Sequence, residues 1–311
     1  MGERWGTPFE DNRKWPEYNE ELVIRGEFLL DFDWVKSWER ELAEMNKGKV
    51  GAKFQFPETL VELQAVWAQM LDYRGLEGCT RQLADQGILP AFNDYTTIWR
   101  RVQEVDSKII LPPDAVVEVS SDGSGLKMNC RGEYKETKYG DRKRKKFIRV
   151  VISANPQNKK LLVVTATIEG EESSETKLAM MQMSSIISKG KTISKAYGDG
   201  AFDTRPFFNF LQKHGIESAV KIRCNASTKA NGSMRRAREV KAYKRDGYEK
   251  WAKDRDYGMR WPGTEGIFSA VKRKFGERVR SKKKENMCFE AERRFWAYDC
   301  IAQYAKNART A

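Results

Sequence analysis

Phe147-Ile-Arg-Val-Val-Ile-Ser-Ala-Asn-Pro-Gln-Asn-Lys-Lys-Leu-Leu-Val-Val-Thr-Ala-Thr-Ile168 is the stretch on which the fold turns. Residues 147–154 and 161–168 are rich in Val, Ile and Thr, whose branched Cβ packs well on a pleated sheet and poorly on a helix. Asn155-Pro156-Gln157-Asn158 between them reads as a turn, because Pro presets φ and Asn tolerates tight backbone. The pattern extends outward. Residues 115–121 form another β-rich run, ending at Asp122-Gly-Ser-Gly125. Downstream come a helix over 175–188, a strand over 193–197 closed by Gly198-Asp199-Gly200, a helix over 204–213 with Pro206 in its first turn, and a strand over 217–223. Three strands followed by helix, strand, helix, strand predict a mixed α/β sheet, part of it parallel.

Pro112-Pro113 marks a change of pattern. With 311 residues, about two domains are expected. Residues 1–110 read as helical. Leu60, Leu63, Trp67 and Met70 line one helix face, and Trp34, Trp38, Leu42 and Met45 follow a similar period. Residues 75–87 predict a short helix stopped by glycine, 88–93 a loop, and Asp94 the N-cap of a second helix that presents Thr96, Thr97, Arg100 and Arg101. The unit at 75–104 fits a helix-turn-helix-like DNA reader. It equally fits an ordinary bundle used for dimerisation, which its acidic balance favours. Residues 111–311 form the second domain.

Charge divides the chain at the same place. Residues 1–110 hold 14 Lys+Arg against 20 Asp+Glu, whereas residues 111–311 hold 43 against 24. The densest part, 221–284, carries 21 basic residues. Such a field points to a polyanion, since Lys and Arg replace the counterions condensed on nucleic-acid phosphates. Within it, 225–261 interleaves Tyr243, Tyr248, Trp251, Tyr257 and Trp261 with basic residues. That composition suits a groove that stacks bases and grips phosphates, and equally a helical insertion whose aromatics pack on the core. A helix over 263–276 (apolar at Phe268, Val271 and Phe275), a charged link at Lys282-Lys-Lys284 and a closing helix over 286–304 complete the chain.

Other classes are excluded by composition. The longest run without a charge, 178–188, is too short to span a bilayer. Met1-Gly-Glu-Arg4 lacks the basic-then-apolar order of a signal peptide, so a cytoplasmic protein is expected. Five cysteines in no close pairing read as reduced thiols. The single histidine, His214, lies in Gln-Lys-His-Gly, the basic last turn of a helix before a glycine. Any chemistry therefore falls to carboxylates.

Three acids occupy matching element ends. Asp122 follows the first strand, Asp199 follows a later one between glycines, and Glu265 opens a helix. Ligands of open α/β sheets gather at the carboxyl ends of strands, and hard carboxylate oxygens suit Mg²⁺. Each acid alone is explained as a turn former or a first-turn dipole partner; together, inside a basic domain, they suggest a two-metal phosphoryl-transfer site. Asp203, before Thr204-Arg-Pro206, is expected to cap a helix.

The stretches Asp122-Gly-Ser-Gly-Leu-Lys127, Gly198-Asp-Gly-Ala-Phe-Asp203 and Arg260-Trp-Pro-Gly-Thr-Glu-Gly-Ile-Phe-Ser-Ala-Val-Lys-Arg-Lys-Phe-Gly-Glu277 resemble the three motifs of DDE transposases. The nearest group is the bacterial and archaeal insertion-sequence superfamily of families four and five, family five above all. Trp15-Pro-Glu-Tyr-Asn-Glu-Glu-Leu-Val-Ile-Arg-Gly-Glu27 and Asp94-Tyr-Thr-Thr-Ile-Trp-Arg-Arg101 resemble its leading helical region, so the likeness covers most of the chain. That group's signature is Tyr, two residues, Arg, three residues, Glu, six residues, Lys. Tyr257, Arg260, Glu265 and Lys272 match in type, and Glu265 to Lys272 in spacing, but four residues separate Arg260 from Glu265.

The resemblance implies an RNase H-like five-stranded mixed sheet with flanking helices. It implies an enzyme that binds the terminal inverted repeats of its element, cuts the ends and joins the 3′-hydroxyls to target DNA. Asp122, Asp199 and Glu265 would hold two Mg²⁺ ions, replaceable by Mn²⁺; one activates water and then the 3′-hydroxyl, the other stabilises the leaving oxygen. Tyr257, Arg260 and Lys272 would position the DNA. Arg235, Arg236 and Arg238 in the basic insertion, with Arg100 and Arg101 in the helical domain, would contact it. A homodimer on double-stranded DNA, associated with the nucleoid, follows from pairing two ends. An RNase H-like nuclease of resolvase type, and a retired transposase that only binds DNA, are the competing readings.

Overall fold

The computed structural model describes residues 3–4, 7–8, 14–128, 147–168 and 174–310. The chain divides into two compact units, one of Met1–Phe9 and Lys108–Glu292, the other of Glu10–Ser107 and Arg293–Ala311. No helix among the described residues is long and apolar enough to cross a membrane.

The helical unit contains α1 (Trp15–Glu27), α2 (Trp38–Asn46), α3 (Glu58–Trp67), α4 (Tyr73–Asp85) and α5 (Tyr95–Glu104). Its core gathers Trp38, Leu60 and Leu89, with Trp34, Leu42, Phe56 and Leu83 packed against them. A buried pair of amides, Gln64 and Asn93, exchanges two hydrogen bonds of 2.6 and 3.1 Å. Two expected helix faces are shorter than their periodicity suggests. Asp33–Ser37 is a 3-10 turn rather than the start of α2, and Trp34 stacks on Trp38 with ring centroids 6.0 Å apart. α3 ends at Trp67, so Met70 lies beyond it, partly exposed. Asp94 caps α5 as expected, accepting from the backbone of Thr96 and Thr97.

The other unit is built on a five-stranded sheet: β1 (Val116–Lys127), β2 (Phe147–Asn155), β3 (Lys160–Ile168), β4 (Thr192–Gly198) and β5 (Glu217–Val220). The order is β3-β2-β1-β4-β5. β2 is antiparallel to both neighbours, while β1, β4 and β5 run parallel. This is the RNase H-like mixed sheet with flanking helices. α6 (Glu175–Ser188) and α7 (Arg205–Lys213) supply the crossovers a parallel sheet requires. They bury Leu178, Met183, Ile186, Phe207, Phe208 and Leu211 against Val117, Val119 and Val151. At the β3 edge, Glu292 accepts the backbone N–H of Ala166 at 2.8 Å, so that donor does not face another strand.

Two strand ends differ from the sequence expectation because a partner strand decides where a strand ends, and one helix cap differs because the expected residue is taken by a distant arginine. β1 does not stop at Ser121. Its antiparallel ladder with β2 runs on to Lys127 opposite Phe147, through the Asp-Gly-Ser-Gly segment that reads as a turn. β5 stops at Val220 because its only partner among the described residues, β4, ends there at Gly198. Thr204, not Asp203, caps α7. His214 sits at the C-cap of α7 before Gly215, whose φ is +66°, as the stop pattern indicates.

Beyond the sheet, α8 (Met234–Asp254) fills the basic segment, broken at Gly247 where φ is +77°. A single helical turn, Arg260–Gly263, precedes α9 (Glu265–Phe275). The closing helix α10 spans Lys284–Thr310, so Lys284 is already helical rather than part of a link. Residues from Arg293 onward group with the helical unit and not with the rest of 111–311, the expected second domain. Ala291, Phe295, Ala297, Ile301 and Ala305 are all buried, so no break in apolar pattern marks the division inside α10.

Candidate active site

Asp122 lies at a step in the sheet. The parallel ladder between β1 and β4 ends at Ser120 opposite Tyr197, while the antiparallel ladder with β2 continues past Asp122 opposite Ile152. One flank of the strand therefore opens where Asp122 stands. Successive residues point to opposite faces. Ser121 turns toward α6, bonding Ser153 at 2.9 Å, which in turn donates to Gln182 at 2.7 Å. Asp122 and Ser124 take the other face, toward Arg260 and Lys272.

Glu265 reaches this place through a close approach. The turn Arg260–Gly263 presses on β1 so tightly that a Cβ on Gly263 would stand 3.0 Å from the Pro156 backbone and 3.4 Å from Ser120. The Arg260 carbonyl accepts from Thr264 Oγ1 at 3.1 Å, steadying the step into α9. Asp199 arrives from the end of β4. Its Oδ1 accepts the Ala201 N–H at 2.7 Å and caps a 3-10 turn, Gly200–Phe202, leaving Oδ2 without a partner among the described residues. Gly198 is required here: a Cβ would meet the Phe202 ring at 2.8 Å.

Arg260 ties the group together. One arm donates to Asp122 Oδ2 at 3.0 Å, the other to Glu265 Oε1 at 2.8 Å. Its guanidinium lies 5.8 Å from the ring centre of buried Tyr257. Burial pushes the Asp122 carboxyl up to about 6. Arg260 and the Gly123 N–H oppose that shift, while Asp199 and Glu265 reinforce it. The Tyr257 hydroxyl is pushed above its ordinary range, chiefly by burial. Lys272 Nζ donates to Ser124 Oγ at 2.9 Å, on the same face as Asp122.

Asp122 and Glu265 thus meet on one guanidinium, and Asp199, from the end of β4, is close enough to act electrostatically on Asp122. Their donor chemistry fits a hard divalent cation: three carboxylates, one of them held back from ionising chiefly by burial. Among the described residues, no three of His, Cys, Asp and Glu are gathered as the ligands of a single ion in this conformation. Arg260 supplies the positive charge between Asp122 and Glu265 instead.

The remaining expected DNA contacts separate into exposed and committed groups. Arg238 and Arg100 are exposed. Arg235 donates to the Ile216 carbonyl. Arg236 is held by Asp203 at 2.6 Å, and Arg101 by Glu58 at 2.6 Å over the Phe54 ring. The Thr96 and Thr97 hydroxyls both bond the Asp94 carboxylate, so they serve the cap. The aromatics of the basic segment pack on each other: Trp251 is buried against Tyr243, Tyr248 and Tyr257, and only Trp261 of the five is exposed. Sequence reasoning missed Ser124 and Arg223. Ser124 had a signal, its i+2 relation to Asp122; Arg223 had none.

Among solved structures, a cryo-EM structure of a piggyBac transposase synaptic complex with hairpin DNA is similar at 11% identity and a TM-score of 0.39, covering 93% of this chain and 76% of that one. The family model described as the transposase DDE domain matches residues 105–300. That match takes in β1 to β5, the three acids and most of α10, and the chain belongs to the transposase DDE domain family.

Proposed function

We propose that this chain is the transposase of an insertion sequence in the superfamily of families four and five, working on double-stranded DNA. It binds the terminal inverted repeats of its element, cleaves the ends and transfers the 3′-hydroxyls to target DNA. The observation that supports this reading is the pairing of Asp122 and Glu265 on Arg260, with Asp199 close enough to act electrostatically on Asp122, within a part of the chain that holds 43 Lys+Arg against 24 Asp+Glu.

Asp122, Asp199 and Glu265 would hold Mg²⁺ or Mn²⁺, two ions in the full complex, which lower the pKa of the attacking hydroxyl and neutralise charge on the phosphate. The chain's own residues do the rest. Asp199 offers Oδ2, which has no hydrogen-bond partner among the described residues. Asp122 is kept poised near neutrality by its burial. Arg260, resting on Tyr257, orients Asp122 and Glu265 with both arms and stands beside the phosphate's path. Lys272 lies two helical turns beyond Glu265, where its ammonium can reach a neighbouring phosphate. Arg238 in one unit and Arg100 in the other are each exposed to solvent, where each can contact a DNA phosphate, and such contacts make affinity fall with salt. A homodimer pairs the two ends on the chromosome.

The test is a strand-cleavage and strand-transfer assay on DNA ends from the element, with Mg²⁺ or Mn²⁺. Asp122→Asn, Asp199→Asn and Glu265→Gln are each expected to abolish both steps while DNA binding persists. Cleavage with no joining of a pre-cut end would establish a resolvase-type nuclease instead. Full biological effect in Asp122→Asn would leave only a DNA-binding role.

A further inference from the structure

The turn that carries Asp199 is gripped from outside by residues that the proposed reaction does not use. The Asp203 side chain is fully buried. It takes both arms of Arg236, Nε onto Oδ1 at 2.6 Å and Nη2 onto Oδ2 at 3.0 Å. Oδ2 also accepts the backbone N–H of Arg223 at 3.0 Å. The Arg223 side chain folds back over the same turn, donating Nε to the Gly200 carbonyl at 2.5 Å and Nη2 to the Ala201 carbonyl at 3.3 Å. Thr176 Oγ1, from α6, donates to that Ala201 carbonyl at 3.3 Å. Ala201 in turn donates its N–H to Asp199 Oδ1. A continuous hydrogen-bonded path therefore runs from α8, through Asp203 and Arg223, to one oxygen of Asp199.

We propose that Asp203, Arg223 and Arg236 form a clamp that presets the Asp199 carboxylate, holding Oδ1 on Ala201 and presenting Oδ2 to a divalent cation. The inference rests on Asp199 being a metal ligand. The three clamp members are positioning residues, and Arg236 acts through Asp203 rather than on a DNA phosphate. A bidentate guanidinium–carboxylate pair fixes angle as well as distance. A ligand held by such outer partners needs no reordering when the ion arrives, and losing such a partner commonly weakens metal binding by about 10–100-fold.

The test uses the full chain and two variants that keep the fold: Arg223→Ala, at an exposed side chain, and Arg236→Lys, which retains the charge and loses the fork. Thermal melting verifies folding. Mn²⁺ affinity is read by electron paramagnetic resonance without DNA, and hydrogen exchange is followed in the peptide containing Ala201. Both variants are expected to bind Mn²⁺ about 10–100-fold more weakly and to exchange faster at that peptide. Cleavage is expected to need proportionately more Mn²⁺ for half-maximal rate, while the rate at saturating Mn²⁺ recovers. Wild-type Mn²⁺ affinity and exchange in both variants overturn the clamp. Asp199→Asn separates the two possible failures. If it loses Mn²⁺ while the clamp variants do not, the clamp alone is wrong; if it binds Mn²⁺ and cleaves as wild type does, the ligand reading of Asp199 is wrong.

Discussion

Two arginine–carboxylate groups lie a short way apart in sequence around the same sheet, and they differ in what their oxygens have left to do. At the sheet edge, Arg260 divides its arms between Asp122 and Glu265, whose side chains are 14% and 33% exposed. Around the turn after β4, Arg236 gives both arms to Asp203, whose side chain is 0% exposed. The first group shares one cation between two partly exposed acids and retains acceptor capacity. The second gives one buried acid three donors, two of them from a single guanidinium. Identical functional groups thus serve opposite ends: an open cluster can exchange its cation, whereas a closed pair holds shape.

The sharpest test of that contrast is Glu265→Gln. Strand cleavage is expected to fall by about 10³-fold or more, roughly 4 kcal/mol of transition-state stabilisation, with no loss in melting temperature. Asp203→Ala should behave in the opposite manner. Leaving the Arg236 guanidinium unpaired in the interior is expected to cost about 3–5 kcal/mol in a urea unfolding curve. A loss below 1 kcal/mol would make the buried pair no different from the open one.

Asp122→Asn distinguishes the groups by pH in metal-free protein. The folded carboxyl, at about 6, binds its proton more tightly than the unfolded group near 3.8. Protonation therefore favours the folded state; that contribution is complete below the unfolded value and is lost as pH rises through about 6. Asn mimics the neutral acid, so the variant should be more stable than wild type at pH 8, by up to about 3 kcal/mol, with the gain shrinking to about 0.5 kcal/mol at pH 4 and vanishing only well below the unfolded value. A gain that is flat with pH would remove burial of the charge as its cause. The smallest effect belongs to Thr204→Ala. Loss of its cap on Phe207 N–H should cost about 1 kcal/mol, read as a modest drop in melting temperature. A cost as large as that of Asp203→Ala would reassign the strength of this turn to the cap.

Much of this was legible in the residues. The branched runs at 147–154 and 161–168 became β2 and β3, and α6 spans the predicted 175–188. Asp199 and Glu265 stand where their glycines and helix pattern placed them, at the end of β4 and the start of α9. Asp122 was legible as a residue of interest and misplaced in its element, because Asp-Gly-Ser-Gly is locally a turn sequence. Only a partner strand could keep it extended. Asp203 was misread for the same kind of reason: its sequence neighbours are those of a cap, while its true partner, Arg236, lies 33 residues away.

What the sequence by itself determined is everything that rests on short-range pattern and composition. That includes strand and helix identity, the basic character of residues 111–311, and the shortage of histidine that turns attention to carboxylates. Tertiary structure alone decided how far each strand runs, which arginines are spent on buried acids, and which aromatics pack inward. Hydrogen-bond ladders, buried ion pairs and ring contacts all depend on groups brought together from distant positions, and no local pattern encodes which distant group arrives.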